Sequence, residues 1–236
     1  MSLDQLERTV EVFFPAESHE TFDHLANASI GRRTVTVRAR PSGSGVVSEA
    51  PPLRLVARRL DHSVPTLGWR LEEPAGRTML PDRLDAAGVH GPDVGRLQRD
   101  GTVATPAGSV RLEDMSVARP GQTFAFVMDT RLCDAAVELA AGVDLLVCES
   151  TFLAAEQDLA TAYGHMTAAQ AAWLAREAGV RRLVLTHFSQ RYTDPTRFAA
   201  EASEIFPDVV VANDLDVVAV PARATGSTGS TPRDGG

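Results

Sequence analysis

Three apolar runs in the second half of the chain each end in polar residues: TFAFVMDT (123–130), VDLLVCEST (143–151) and RRLVLTHFS (181–189). Short apolar runs bounded by turn residues are typical of buried strands. The segments between them, 132–141 and MTAAQAAWLAREAG (166–179), carry apolar residues at helical spacing, and Gly179 is placed to end the second one. Strands that alternate with helices of this length predict an α/β layered domain.

The sequence on either side predicts further elements around this centre. TVTVRARP (34–41) alternates polar and apolar residues and predicts a strand, whereas 41–52 is rich in Gly, Pro and Ser and predicts a loop. Between 74 and 120 the pattern breaks into short helical and turn pieces. The other predicted elements are a helix over 18–28, strands over 53–60 and 66–72, a helix over 194–205, and one or two closing strands within 208–221.

Composition sets the class of protein. The chain has 236 residues, of which 44% are apolar, and this excludes a wholly disordered protein. It has no apolar run long enough to cross a membrane, and its first residues lack the layout of a secretory signal, so we expect a cytoplasmic protein. Its two cysteines, Cys133 and Cys148, are too few for a disulfide framework and are expected to be buried. The small, polar residues 223–236 are expected to form a disordered tail.

The charge balance limits any nucleic-acid role to a local surface. The formal net charge is −8, whereas sequence-independent binding to nucleic acid depends on neutralising phosphates with Lys and Arg. All 23 basic residues are arginine, which suits phosphate contacts. A genome biased towards Ala, Arg, Gly and Val accounts for the same composition more simply.

Four predicted strands end in a group that can bind a metal or move a proton: His62, Asp129, Glu149 and His187. Ligands of α/β sheets bind beyond the carboxyl ends of the strands, so these side chains are expected to converge. Two imidazoles and a carboxylate at separate strand ends match the ligands of Zn²⁺ in hydrolytic sites. Each residue alone also has an ordinary structural explanation: a histidine can be a hydrogen-bonded loop residue, and Asp129 and Glu149 could cap the helices that follow.

Seven blocks, in the same order along the chain, resemble ribonuclease Z, a tRNA-processing family of the metallo-β-lactamase superfamily. The blocks are LDHSVPTLGWRLEE, GPDVGRLQRDG, FAFVMDTR, LLVCESTF, YGHMTAAQAA, LVLTHFSQRY and ANDL. The resemblance implies a metallo-β-lactamase αβ/βα sandwich over residues 1–222, incomplete in its N-terminal half, with an arm inserted at about 76–120. It also implies a homodimer that binds two Zn²⁺ ions and removes 3′ trailers from precursor tRNA.

The resemblance assigns roles residue by residue. His62 is similar to a ligand of one zinc ion, His187 to a ligand of the other, and Asp129 to the carboxylate that bridges them. His165 corresponds to the catalytic histidine. GPDVGRLQRDG resembles part of the arm that grips tRNA, which makes Gly91, Pro92, Arg96 and Arg99 candidate tRNA-binding residues.

One departure from the family is clear. The HxHxDH motif, which supplies four more zinc ligands and a general base in the family, has no counterpart, because no two histidines of this chain are separated by a single residue. The sequence therefore reads as N-terminally truncated, either by a gene model that starts at an internal codon or in reality, and its own activity is in doubt. Two alternatives stay open: a catalytically silent binding module that serves a complete partner subunit, and another hydrolase of the same superfamily.

Overall fold

A computed structural model describes residues 9–28 and 35–223. The described residues divide into two compact units, one made of 9–28, 35–72 and Thr123–Pro221, and the other made of Glu73–Gln122 with 222–223. Within the described ranges, no helix is both long and apolar enough to cross a membrane. The predicted disordered tail lies outside the described residues except for its first residue, Arg223.

The described residues form both strands and helices. The strands are β1 (Thr9–Pro15), β2 (Thr36–Ser42), β3 (Gly45–Ser48), β4 (Arg54–Arg59), β5 (Leu67–Glu72), β6 (Gly76–Met79), β7 (Thr102–Thr105), β8 (Gly108–Arg111), β9 (Ser116–Arg119), β10 (Thr123–Val127), β11 (Leu145–Glu149), β12 (Arg182–Thr186) and β13 (Val209–Val211). The α-helices are α1 (His19–Ala26), α2 (Pro81–Ala86), α3 (Pro92–Asp100), α4 (Asp134–Ala140), α5 (Gln157–Tyr163), α6 (Ala168–Glu177) and α7 (Thr196–Ser203). The predicted α/β class is confirmed.

A seven-stranded mixed sheet organises the larger unit. Its strand order is β13-β12-β11-β10-β5-β4-β3, with parallel pairing from β10 to β13 and antiparallel pairing from β10 through β5 and β4 to β3. Strands β4, β10, β11 and β12 therefore run in the same direction, and their carboxyl ends meet at one edge of the sheet. In the same unit β1 and β2 form a separate parallel pair.

One face of the sheet is buried under helices. Alternate residues of β10, β11 and β12 point towards α4, α6 and α7 and are fully buried: Ala125, Val127, Leu146, Cys148, Leu183 and Leu185. Each buried leucine contributes about 1.5–3 kcal/mol through the apolar surface that it removes from water. Helix α6 begins with a capping box, in which Thr167 accepts from the backbone N–H of Gln170 and the Gln170 side chain accepts from that of Thr167. This core fixes the sheet edge that carries the polar strand ends.

Two local predictions are wrong, the loop at 41–52 and the burial of Cys133. Residues 41–52 are not a plain loop, since β2 extends to Ser42 and β3 forms a hairpin with β4. The segment 208–221 contributes one strand, β13, which agrees with the prediction of one or two closing strands. Of the two cysteines, Cys148 is buried as expected, but Cys133 is half-buried.

The smaller unit, described by itself, has a small core of its own. Strand β6 pairs with β9, and β7 pairs with β8. Its buried apolar residues come from helices α2 and α3 and the segments that follow them: Leu84, Val89, Leu97 and Val103. Glu73 and Arg119 form a two-pronged ion pair, with nitrogen–oxygen distances of 3.0 and 2.7 Å, near the two ends of the unit's main segment.

Candidate metal centre

Five of the residues singled out in the sequence lie together at the carboxyl edge of the main sheet. Ligating atoms of His62, Asp129 and His165 lie within 4.8 Å of one another, and so do those of Glu149, His165 and His187. His187 Nε2 is 3.2 Å from Asp129 Oδ1, which links the two groups. The imidazoles of His62 and His187 flank that of His165, with ring centroids 5.1 and 5.3 Å from it. The expected convergence of the strand ends is therefore present.

Backbone conformation places two of these residues. Asp129 has a φ of 52° and His187 a φ of 62°, both in the left-handed region that residues with a Cβ rarely adopt. Each such residue costs about 1–2 kcal/mol relative to the ordinary conformation. His187 directly follows β12, and Asp129 lies two residues after the end of β10, so the left-handed conformation directs both side chains towards the edge of the sheet. Strain of this kind concentrates at functional sites.

The three histidines share one hydrogen-bonding arrangement. His62 Nδ1 lies 2.9 Å from the carbonyl oxygen of Gly164, and His165 Nδ1 lies 3.0 Å from the Glu149 carboxylate. Both partners can only accept hydrogen bonds, so both Nδ1 atoms must carry the proton. His187 Nδ1 contacts the Thr151 hydroxyl at 2.8 Å. Neutral imidazoles held in this way leave Nε2 without a proton and free to bind a metal, an arrangement typical of metal-ligating histidines.

The donor atoms fit a metal ion in type. With its proton on Nδ1, His187 presents a bare Nε2 to the carboxylate oxygen of Asp129, and two acceptors at 3.2 Å repel each other unless a cation or proton lies between them. Nitrogen and oxygen donors together suit Zn²⁺. The number of these donor atoms is smaller than a catalytic zinc site usually has. With the roles that the resemblance implies, His62 and Asp129 would hold one ion, and Asp129 and His187 the other. Each ion would then have two protein ligands among the described residues, whereas catalytic zinc usually has three.

Glu149 lies beneath the site rather than in it. Its carboxylate is completely buried and accepts hydrogen bonds from the backbone N–H of Thr130 (2.5 Å) and Met166 (3.1 Å), from the Thr151 hydroxyl (2.8 Å) and from His165 Nδ1. Four donors occupy the lone pairs of its two oxygens, so no position is left for a metal. Its role is to hold the ring of His165.

The helix-capping alternatives are wrong. Helix α4 has Cys133 at its N-cap and no side-chain cap, so Asp129 does not cap it. The two N–H groups that Glu149 accepts belong to Thr130 and Met166, which precede helices α4 and α6 rather than forming their first turns. The sequence correctly placed Glu149 at the end of a strand. Its complete burial distinguishes the two roles, because a buried carboxylate can hold the ring of His165 in place, whereas a helix-capping carboxylate lies at the start of a helix.

Gly164 is a supporting residue that the sequence analysis missed. Its φ is 81°, and a Cβ added to it would lie 2.8 Å from His62 Nδ1, too close for any other residue. The close approach allows the Gly164 carbonyl to accept from His62. Its position directly before His165 in YGHMT is a signal that could have marked it, since a glycine there permits close packing.

The candidate tRNA-binding residues lie on the smaller unit, on and next to α3. Gly91 precedes the helix with a φ of 54°, Pro92 is its first residue, and all four candidates are exposed. Arg96 forms an ion pair with Asp93 at 3.0 Å. Contact of these residues with tRNA stays a prediction.

Comparisons with known proteins show the family of this chain. Residues 18–188 match the family model described as a beta-lactamase superfamily domain. The chain is 49% identical over 226 residues to ribonuclease Z of Nocardia farcinica, covering 94% of this chain and 74% of that protein. It is 50% identical over 231 residues to ribonuclease Z of Salinispora arenicola, covering 97% and 75%.

Solved structures show the same fold. Human tRNase Z, short form, superposes with a TM-score of 0.57 at 18% identity, covering 90% of this chain and 67% of that one. The metallo-beta-lactamase fold protein YhfI from Bacillus subtilis gives the same TM-score at 20% identity, covering 86% and 62%. On the strength of the sequence identities and the domain match, the chain belongs to the ribonuclease Z family of the metallo-β-lactamase superfamily.

Proposed function

We propose that this chain carries the active site of a metal-dependent endoribonuclease that removes 3′ trailers from precursor tRNA, with Zn²⁺ as its metal. The observation that carries the proposal is the gathering of His62, Asp129, His165 and His187 at one sheet edge, each imidazole with its Nε2 facing the site. The curated relatives named ribonuclease Z support the reaction and the substrate class.

In this proposal the residues divide into two tasks. His62, Asp129 and His187 hold the metal, which supplies Lewis-acid stabilisation of the charge that builds on the phosphate and activates water at neutral pH. His165 is the catalytic histidine. When it carries a proton on Nε2 as well, that proton can pass to the leaving oxygen, and the buried Glu149 beside Nδ1 balances the charge of the ring. Glu149 also keeps the ring from turning.

A cleavage assay tests the proposal. The purified chain is incubated with a precursor tRNA that has a 3′ trailer and with added Zn²⁺ or Mn²⁺, and the new 3′ end is mapped. We expect metal-dependent release of the trailer that is abolished by His187→Ala and unaffected by His24→Ala, since His24 is exposed in the last turn of α1. Trailer release that His187→Ala leaves undiminished would refute the assigned site.

One observation favours a second candidate, a binding module that holds precursor tRNA without cutting it. The proposed ligands, all among the described residues, would give each of two ions two protein ligands, where catalytic zinc usually has three. The charge of the arm argues against this candidate. Residues 76–120 hold six arginines and six acidic residues, so the arm has no net positive charge to attract RNA phosphates. Gel-shift binding of precursor tRNA with no trailer release at any metal concentration would favour the module.

The same proposal includes the substrate, the partner and the cellular location of the chain. Precursor tRNA is the substrate, and Arg96 and Arg99 on α3 are the candidate contacts to its phosphates. A second copy of the chain is the expected partner, and the cytoplasm is the expected location. Sedimentation of the purified chain, with and without tRNA, measures whether it forms the homodimer.

A further inference from the structure

A buried hydroxyl joins the two histidines at the centre of the site. Thr151 Oγ1 lies 2.8 Å from His187 Nδ1 on one side and 2.8 Å from Glu149 Oε2 on the other. Glu149 in turn accepts from His165 Nδ1. We name this chain of contacts, from His187 through Thr151 and Glu149 to His165, the Thr151 bridge.

The direction of each hydrogen bond in the bridge is fixed by chemistry. A carboxylate can only accept, so the single proton of the Thr151 hydroxyl points to Glu149. The hydroxyl oxygen is then left as an acceptor towards His187, and Nδ1 of His187 must carry a proton. A neutral imidazole has one ring proton, so Nε2 of His187 has none. The bridge thus selects the tautomer in which Nε2 is a lone-pair donor towards Asp129.

We propose that Thr151 is a positioning residue that sets the ring tautomer of His187 and thereby prepares Nε2 to bind metal. Without the hydroxyl, Nδ1 has no acceptor, and the ring gains a hydrogen bond by moving its proton to Nε2, which lies 3.2 Å from Asp129 Oδ1. That tautomer fills the position of the metal with a proton. The site would then have to remove this proton before it could bind an ion.

Burial makes the bridge a rigid element. Thr151 is 8% exposed and Glu149 is fully buried, so water competes little for these bonds. Thr151 lies two residues after β11, and its neighbour Ser150 donates a backbone N–H to the carbonyl of Thr186, directly before His187. The two strand ends are thus tied together by backbone and side-chain bonds at the same place.

The inference rests on the proposed metal site for its consequence, but its first test needs no metal. Long-range ¹H–¹⁵N spectra of the metal-free, 236-residue chain at about pH 8.5, where imidazoles are neutral, report which ring nitrogen of His187 carries the proton. We expect Nδ1–H in the wild type and in Thr151→Ser, which keeps the hydroxyl. We expect Nε2–H to become the main form in Thr151→Val, which keeps the branched shape of the side chain but removes its hydroxyl.

The second test measures the consequence. Zn²⁺ titration against a chelating dye should show affinity about 10- to 100-fold weaker in Thr151→Val, the usual effect of removing an outer hydrogen-bond partner of a ligand. Thr151→Ser should restore the affinity, and Thr161→Val, a substitution on the exposed side of α5, should leave it unchanged.

The outcomes separate the bridge from the proposed function. An Nε2–H tautomer of His187 in the wild type overturns the bridge, and this result does not depend on whether any variant folds. An unchanged tautomer in Thr151→Val also overturns it. The expected tautomers together with no Zn²⁺ binding by the wild type would instead contradict the metal site while leaving the bridge in place.

Discussion

Replacing Glu149 by glutamine should destabilise the fold and release His165. The carboxylate accepts four hydrogen bonds inside the protein, two of them from backbone N–H groups. Glutamine keeps the size, but its NH₂ group faces two of the donors and can accept from neither. Two lost bonds to a charged acceptor, at about 1.5 kcal/mol each, predict a decrease of about 3 kcal/mol in the free energy of unfolding.

Urea denaturation of the metal-free chain measures this decrease, with Glu177→Gln as the control. Glu177 lies at the exposed end of α6, and among the described residues it pairs only with its neighbour Arg176. Its substitution should therefore change stability by less than about 0.5 kcal/mol. In the cleavage assay Glu149→Gln should lose trailer release, because the ring of His165 is no longer held. A loss of stability below about 1 kcal/mol would show that Glu149 is not the buried anchor described above.

Three further predictions concern supporting residues. Gly164→Ala should lose about 1–2 kcal/mol of stability, because alanine disfavours the left-handed backbone conformation at this position, and calorimetry measures this loss. The same variant should weaken Zn²⁺ binding, because the new methyl group would press on His62, and metal titration measures this effect. Thr167→Ala removes the cap of α6 and should cost about 1 kcal/mol in urea denaturation. Arg119 holds the pKa of Glu73 below its ordinary value of 4.5, so the ion pair should stabilise the smaller unit at pH values above 4.5 and be lost as the pH falls through the lowered pKa. A carboxyl NMR titration should place the Glu73 midpoint below 4.5 and closer to 4.5 in Arg119→Gln.

Matched controls separate the causes. Gly142→Ala has the same backbone penalty, with a φ of 63°, but no atom within 4 Å of the added Cβ, so it should reduce stability without affecting Zn²⁺ binding. Thr167→Ser keeps the capping hydroxyl and should recover most of the stability. Equal Zn²⁺ affinities in Gly164→Ala and Gly142→Ala would contradict the packing of Gly164 against His62, and a Glu73 midpoint at or above 4.5 would contradict the ion pair.

The sequence predicted the strands that form the site well, because their apolar residues and polar ends follow from burial in a parallel sheet. Asp129 and His187 were found because carboxyl ends of such strands meet at one edge, a rule that needs no knowledge of side-chain positions. His165 was different. It lies between α5 and α6, and from local sequence alone a structural and a functional role were equally consistent with its position.

The residues that hold the ligands could not be predicted in the same way. Glu149 looks like a helix cap until its burial is known. Thr151 acts through its contacts with Glu149 and His187, and His187 lies 36 residues away from it along the chain. The hairpin of β3 was missed for a related reason, since its Gly-rich segment gains strand geometry from pairing with β4 rather than from its own composition.

The most direct test of the metal centre is an X-ray absorption spectrum at the zinc edge of the chain loaded with one equivalent of Zn²⁺. We expect a first shell of nitrogen and oxygen at about 2.0–2.1 Å together with the outer scattering of imidazole rings. Both signals should be lost when His62 and His187 are replaced by alanine. A sulfur shell at about 2.3 Å, or a spectrum unchanged in the double variant, would contradict the proposed metal centre.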